Sequence, residues 1–84
     1  MYSIEFERQA EKDLRRLGPK QMRQIQGKID GLADNPRPHD SEKIKAMPRC
    51  LRIRSGEYRI LYQVDDKEKL VIIARIRHRR EAYR

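Results

Sequence analysis

Tyr2, Ile4 and Phe6 alternate with Met1, Ser3 and Glu5 at the start of the chain, the period-two pattern of a half-buried strand. The period then changes. Ala10, Leu14 and Leu17 recur at helical spacing with charged residues between them, which predicts an amphipathic helix. Gly18-Pro19 is both a stop and a start, because glycine suits a helix C-cap and proline a first helical turn. Met22, Ile25, Ile29 and Leu32 mark the apolar stripe of a second helix. Asn35-Pro36 ends it, since the residue before a proline avoids helical geometry. The two helices read as an antiparallel hairpin, and residues 36–48, with Pro36, Pro38 and Pro48, read as a connecting loop.

Strand candidates follow at Cys50–Arg54, Glu57–Val64 and Leu70–Arg77, joined by Ser55-Gly56 and by Asp65 to Lys69. This order predicts one α+β domain over residues 1–84: an N-terminal strand, a helical hairpin and a three-stranded antiparallel meander, with the helices packed on one face of the sheet. If Ser55-Gly56 is the two-residue loop, Arg54 faces Glu57, Ile53 faces Tyr58, Arg52 faces Arg59 and Leu51 faces Ile60. Directly paired residues share a side of the sheet. One side then carries Leu51, Ile53, Tyr58, Ile60 and Tyr62, and the other Arg52, Arg54, Glu57 and Arg59, with Cys50 projecting from the arginine side. In the third strand, Leu70, Ile72, Ala74 and Ile76 form one face and Val71, Ile73, Arg75 and Arg77 the other. Like charges set opposite each other repel, and a bound anion relieves that repulsion. The competing reading is that Glu57 and other carboxylates neutralise the cluster, or that the arginine stems splay into water.

Composition narrows the function. The chain has 84 residues, with 21 Lys+Arg against 13 Asp+Glu, a net charge of +8. Ten basic and eight acidic residues fall in 1–48, but eleven basic and five acidic in 49–84, and nine of those eleven are arginine. Arginine presents a planar fork that matches phosphate oxygens, so a basic strand-rich half points to a polyanion, most simply nucleic acid. The longest apolar run, Leu70 to Ala74, is far short of the ~20 residues of a membrane span. Glu5, Glu7 and Arg8 stand where the apolar part of a signal peptide would lie. A single cysteine, Cys50, fits a reducing cytoplasm. No phosphate-binding glycine loop, Ser-His-Asp arrangement or metal-ligand cluster is present. His39 reads as an exposed loop residue. His78, in the arginine-rich tail, is a candidate for proton transfer near neutral pH. Tyr83, beside basic groups, is a candidate for stacking on a base.

The ordered set Lys43-Ile44-Lys45-Ala46-Met47-Pro48, Leu51-Arg52-Ile53-Arg54, Gly56-Glu57-Tyr58-Arg59-Ile60-Leu61-Tyr62 and His78-Arg79-Arg80-Glu81-Ala82-Tyr83-Arg84 resembles the RelE family of toxins from toxin–antitoxin systems. The resemblance covers nearly the whole chain. It implies a compact α+β fold like that of small microbial ribonucleases and cleavage of mRNA in the ribosomal A site. In that reaction the 2′-hydroxyl attacks the adjacent phosphate. It also implies two partners, a cognate antitoxin protein and the ribosome carrying mRNA, and neither metal nor cofactor.

By that resemblance Arg52, Arg54, Arg59, Arg79 and Tyr83 fall on functional positions. Arg59 is expected to hold the scissile phosphate, with Arg52 and Arg54 on neighbouring phosphates. Arg79 is expected to support the leaving oxygen, and Tyr83 to stack on a base. Lys43, Lys45, Arg77, Arg80 and Arg84 complete the basic set expected to bind RNA. Arg52 and Arg54 stand where family members carry lysines, and arginine is a poor base. The proton therefore goes to Tyr83 or His78, or catalysis rests on charge stabilisation and alignment. With the sequence ending one residue after Tyr83, a long C-terminal helix is expected to be missing. Two alternatives are a ParE-like toxin that inhibits DNA gyrase and a non-catalytic module that binds RNA or antitoxin. If phosphates are the target, RNA binding weakens steeply between low and physiological ionic strength, because released counterions drive it. A filter-binding titration across that range checks this.

Overall fold

The computed structural model describes residues 1–82. Strand β1 (Ser3–Phe6) leads into helix α1 (Arg8–Arg15) and helix α2 (Pro19–Asp34). Strands β2 (Glu42–Ile44), β3 (Met47–Ser55), β4 (Tyr58–Asp65) and β5 (Leu70–His78) follow, and a single turn of helix, α3 (Arg79–Ala82), closes the described residues. The strands form one five-stranded sheet in the order β1-β5-β4-β3-β2. β1 lies parallel to β5, and the other pairs are antiparallel. The α+β class, the two helices and the order of the elements are those the sequence predicts. No helix among the described residues is long and apolar enough to cross a membrane.

Both helices serve one face of the sheet. Ala10 of α1 and Ile25, Ile29 and Leu32 of α2 form a single buried cluster with Ile53, Ile60, Tyr62, Val71, Ile73 and Ile76 of β3 to β5. The i, i+4, i+7 spacing of the α2 residues places them on one stripe. Pro19 starts this helix, and its chain leaves at Asn35 in an extended conformation. Tyr62 is fully buried, and its hydroxyl donates to the Pro36 carbonyl at 2.8 Å, so its polar end is satisfied inside the core. Burial shifts its phenol pKa upward. Next to Pro36, Arg37 makes a two-pronged bond to Asp66 at 2.8 and 2.9 Å, and Asp66 accepts a third bond from the Tyr2 hydroxyl at 2.6 Å. The Arg37 bonds, followed by that from Tyr2, hold its carboxyl down at about 2.

Three sequence expectations change in the folded chain. Residues 36–48 are not all loop: Glu42–Ile44 add an edge strand, and β3 begins at Met47. The β2–β3 register shifts between Lys43 and Ile44, so that Lys43 pairs with Leu51 and Ile44 with Met47. Pro48 lies in that irregular stretch, where its missing N–H takes no ladder bond away. A three-residue strand with only one apolar side chain carries almost no periodic signal.

The turn between β3 and β4 is Gly56-Glu57, not Ser55-Gly56. Ser55 pairs with Tyr58, Arg54 with Arg59, Ile53 with Ile60 and Arg52 with Leu61. Gly56 takes a φ of +60°, and glycine at the first loop position is the signature of a II′ hairpin turn. Sliding the turn by one residue changes every partner but leaves the strand side chains on their predicted face, while Glu57 moves from the strand into the turn and its carboxylate reaches His78.

In β5 the predicted alternation fails. Leu61 pairs with Arg75 and Tyr62 with Ile73, so Ala74 is an extra residue that forms a bulge. Ile73 and Ile76 are both buried, although three positions apart, which strict alternation forbids. The bulge lets Val71, Ile73 and Ile76 share the core face.

Asp13 of α1 closes this region. It is 7% exposed, and one carboxylate oxygen accepts the Ile76 backbone N–H at 2.9 Å and the Arg75 Nε–H at 2.9 Å. Gln9 donates to the other oxygen at 3.2 Å. The Ile76 amide stands beyond the reach of β1, whose pairing stops at Ile73, so the helix supplies the acceptor that a neighbouring strand would supply elsewhere. Burial pushes the Asp13 pKa up, but the bonds from Arg75, Ile76 and Gln9 outweigh it and hold the group below 3.8. Asp13→Ala leaves a buried amide unsatisfied and is expected to cost about 1–3 kcal/mol. Because the folded-state pKa is lowered, this contribution is complete above 3.8 and is lost as pH falls below that value. Thermal melts of the two proteins are therefore expected to differ most at neutral pH and less in acid.

Candidate nucleic-acid interface

The face of the sheet away from the helices carries the arginines. Arg54 of β3 pairs with Arg59 of β4, and Arg59 pairs with Arg77 of β5. Three guanidinium side chains therefore start from one cross-strand row. Arg52 belongs to the next row, opposite Leu61, so it neighbours Arg59 diagonally and not directly as the Ser55-Gly56 turn would require. Arg59 stands at the centre of the row and is only 8% exposed. Arg54 and Arg79 are exposed, and Arg52 and Arg77 are partly buried.

Arg59 forms a shared wall between two clefts. One, of about 240 Å³, is lined by Arg54, Gly56, Glu57, Tyr58, Arg59 and Arg79. The other, of about 190 Å³, is lined by Ile44, Met47, Arg52, Arg59, Leu61 and Arg77. The first is shaped by backbone. The Arg79 N–H donates to the Glu57 carbonyl at 2.7 Å, which draws the start of α3 against the β3–β4 turn and brings Arg79 beside Arg54 and Arg59.

Glu42 of the edge strand offsets part of this charge. Arg52 donates to one Glu42 oxygen from Nη2 at 2.7 Å and from Nε at 3.2 Å. Those bonds, with smaller pulls from Arg54 and Arg59, hold the exposed Glu42 carboxyl below 4.5. The positive field of the row thus reaches an exposed group on the neighbouring strand.

Other predicted residues lie elsewhere. His78 pairs with Tyr58 on the helix side of the sheet. The two rings meet edge to face with centroids 5.2 Å apart, and His78 lines a pocket with Asp13, Arg16 and Leu17. Its Nε2 lies 3.1 Å from a Glu57 oxygen, and its Nδ1 accepts the Arg80 N–H at 3.2 Å. The fold therefore places His78 on the opposite face from the arginine row. Lys43 lines a separate cavity of about 490 Å³ with Arg37, Arg49 and Asp66, and Lys45 sits in the β2–β3 turn. Arg80 is exposed on α3. Tyr83 and Arg84 lie outside the described residues. Cys50 is buried at the far end of the arginine side, where the Gln63 amide donates to its sulfur at 3.6 Å. Among the described residues no group of three or more His, Cys, Asp or Glu gathers in one place. Sequence reasoning did not find Glu42 or Leu61 on this face, and their signal was the cross-strand partner of Arg52, which only the observed register supplies.

Comparison with known proteins shows what this arrangement of sheet and helices is similar to. Residues 4–83 match the family model described as the ParE toxin of type II toxin–antitoxin systems. The mRNA interferase toxin RelE of Escherichia coli K12 is 33% identical over 86 residues, which cover 98% of this chain and 90% of that protein. The putative toxin RelE1 of Methanocaldococcus jannaschii is 29% identical, over 99% of this chain and 96% of that one. Among solved structures, the isolated E. coli RelE toxin superposes with a TM-score of 0.81 at 28% identity, covering 99% of this chain and 96% of that one. A chain of the Mycobacterium tuberculosis RelBE2 toxin–antitoxin complex superposes with a TM-score of 0.82 at 26% identity, over 92% and 96% of the two chains. The chain belongs to the RelE/ParE family of toxins from type II toxin–antitoxin systems.

The row of like charges carries a stability cost that salt screens. Arg54→Gln removes an exposed member of it and is expected to raise stability by a few tenths of a kcal/mol at low salt. The gain shrinks as salt rises, and denaturant unfolding at two ionic strengths checks both.

Proposed function

We propose that this toxin is a ribosome-dependent mRNA endonuclease that cleaves mRNA in the A site and is held inactive by a cognate antitoxin. The observation that carries the reading is the Arg54–Arg59–Arg77 row with Arg79 folded against it. A cluster of this kind is suited to an anion that gains charge during reaction. The name of the E. coli relative, an mRNA interferase toxin, supports the reaction class. Its structure and those of its archaeal and mycobacterial counterparts in complex with antitoxins support the partner.

In this reaction the 2′-hydroxyl gives up its proton as its oxygen attacks the adjacent phosphorus, the bond to the 5′-oxygen breaks, and that oxygen takes up a proton from water. The products are a 2′,3′-cyclic phosphate and a 5′-hydroxyl. Arg59, nearly buried and central, holds the non-bridging oxygens as they gain charge in the transition state. Arg54 and Arg79 share its cleft and bind the same or the next phosphate, with Arg79 toward the leaving oxygen. Arg52 is partly neutralised by Glu42 and supplies a second, weaker contact. All of these groups are permanently protonated, so their contribution is charge stabilisation and in-line alignment rather than proton removal. The proton-acceptor role stays with Tyr83 as a proposal, since the fold turns His78 to the other face.

The family model carries the ParE description, so gyrase inhibition is the second reading. Primer extension on an mRNA under translation separates the two. Codon-phased cuts that fall by about 10²-fold or more in Arg59→Ala are expected for the nuclease. Intact mRNA together with loss of gyrase supercoiling would instead establish the second reading.

A further inference from the structure

The cleft on the β2 side of Arg59 differs in chemistry from the one beside it. Ile44, Met47 and Leu61 contribute its apolar surface, and Arg52, Arg59 and Arg77 frame it. Leu61 sits on the arginine face of β4, directly opposite Arg52 and Arg75, where a solvated charged face has no use for leucine. Met47 is 47% exposed, one of two large apolar side chains so exposed among the described residues, the other being Met1. Ile44 pairs with Met47 across the β2–β3 hairpin. An apolar floor inside a ring of guanidinium groups matches a flat, π-faced group attached to an anion. The floor packs against the ring, methionine sulfur is a favourable neighbour for an aromatic edge, and arginine stacks on its face.

We propose that this cleft is a nucleobase-binding subsite, in which Met47 and Leu61 hold the base of a nucleotide whose phosphate lies on Arg59. This inference rests on the proposed RNA substrate and extends it. Arg59 belongs to both clefts, so a phosphate in one places an adjoining base within reach of the other. The subsite takes single-stranded RNA, because only an unstacked base enters it. The surface is also a determinant of where the chain is cut, since bases that fill an apolar cleft differently align the phosphate differently.

The test uses a 2′-O-methyl RNA trinucleotide, which has no attacking hydroxyl, with the full-length toxin labelled at methionine methyls and arginine Nε. Binding is expected to shift both the Met47 methyl and the Arg59 Nε signals. Two further trinucleotides each carry an abasic sugar on one side of a phosphate. One of them is expected to lose the Met47 shift, keep the Arg59 shift and bind roughly tenfold to a hundredfold more weakly, as for the loss of one stacked base. Met47→Ala, at an exposed position, is expected to erase the affinity difference between that abasic trinucleotide and the intact one. An Arg59 shift without a Met47 shift, or a Met47 shift retained by both abasic probes, would overturn the subsite. Because these probes are not cleaved, the result stands apart from the nuclease reading. Absence of codon-phased cuts alongside a base-dependent Met47 shift would defeat the nuclease reading and leave the subsite in place.

Discussion

Arg54, Arg59 and Arg77 stand side by side across three hydrogen-bonded strands, and most of the remaining structure holds that row in place. Adjacent guanidinium groups on one face repel, and the strands that carry them are clamped from the other side. The clamp is the apolar core. Ile53, Ile60, Tyr62, Ile73 and Ile76 point toward the helices and are almost fully buried. A one-residue slip of any strand would expose them and bury arginines. Core and site are thus two faces of one ladder, and the hydrophobic free energy of one face offsets the electrostatic cost of the other.

Two local devices make this arrangement possible. Gly56, at a positive φ, sets the β3–β4 turn and thereby decides that Arg54, rather than Arg52, lies opposite Arg59. The bulge at Ala74 changes the parity of β5, so that Arg77 joins the row while Ile73 and Ile76 both stay in the core. The Ile76 amide lies beyond the end of the β1–β5 pairing, and Asp13 of α1 accepts from it. A helix carboxylate far from the arginine face is therefore part of what positions that face.

The arginine face is not uniform. Toward α3 it is a polar cleft shaped by the backbone bond from Arg79 to Glu57. Toward β2 it is an apolar floor of Ile44, Met47 and Leu61, with Glu42 tempering the charge at the rim. Arg59 is common to both, which makes it the residue through which phosphate contact and base contact are coupled. His78 works on the other side of the sheet, linking Glu57 to the first turn of α3.

Alternation and spacing in the sequence determined the elements, their order, the α+β class and which side of β3 and β4 carries the arginines, because side-chain direction along a strand depends only on parity. The assignment of Arg52, Arg54 and Arg59 to one face survived a misplaced turn for the same reason. Which arginines are neighbours, how β5 turns Arg77 into the row, the edge strand at Glu42–Ile44 and the bond from Asp13 to Ile76 were decided only in the tertiary structure. Each depends on a partner distant in sequence: register is a relation between two strands, a bulge is legible only against the strand it opposes, and an edge amide finds its acceptor wherever packing brings one.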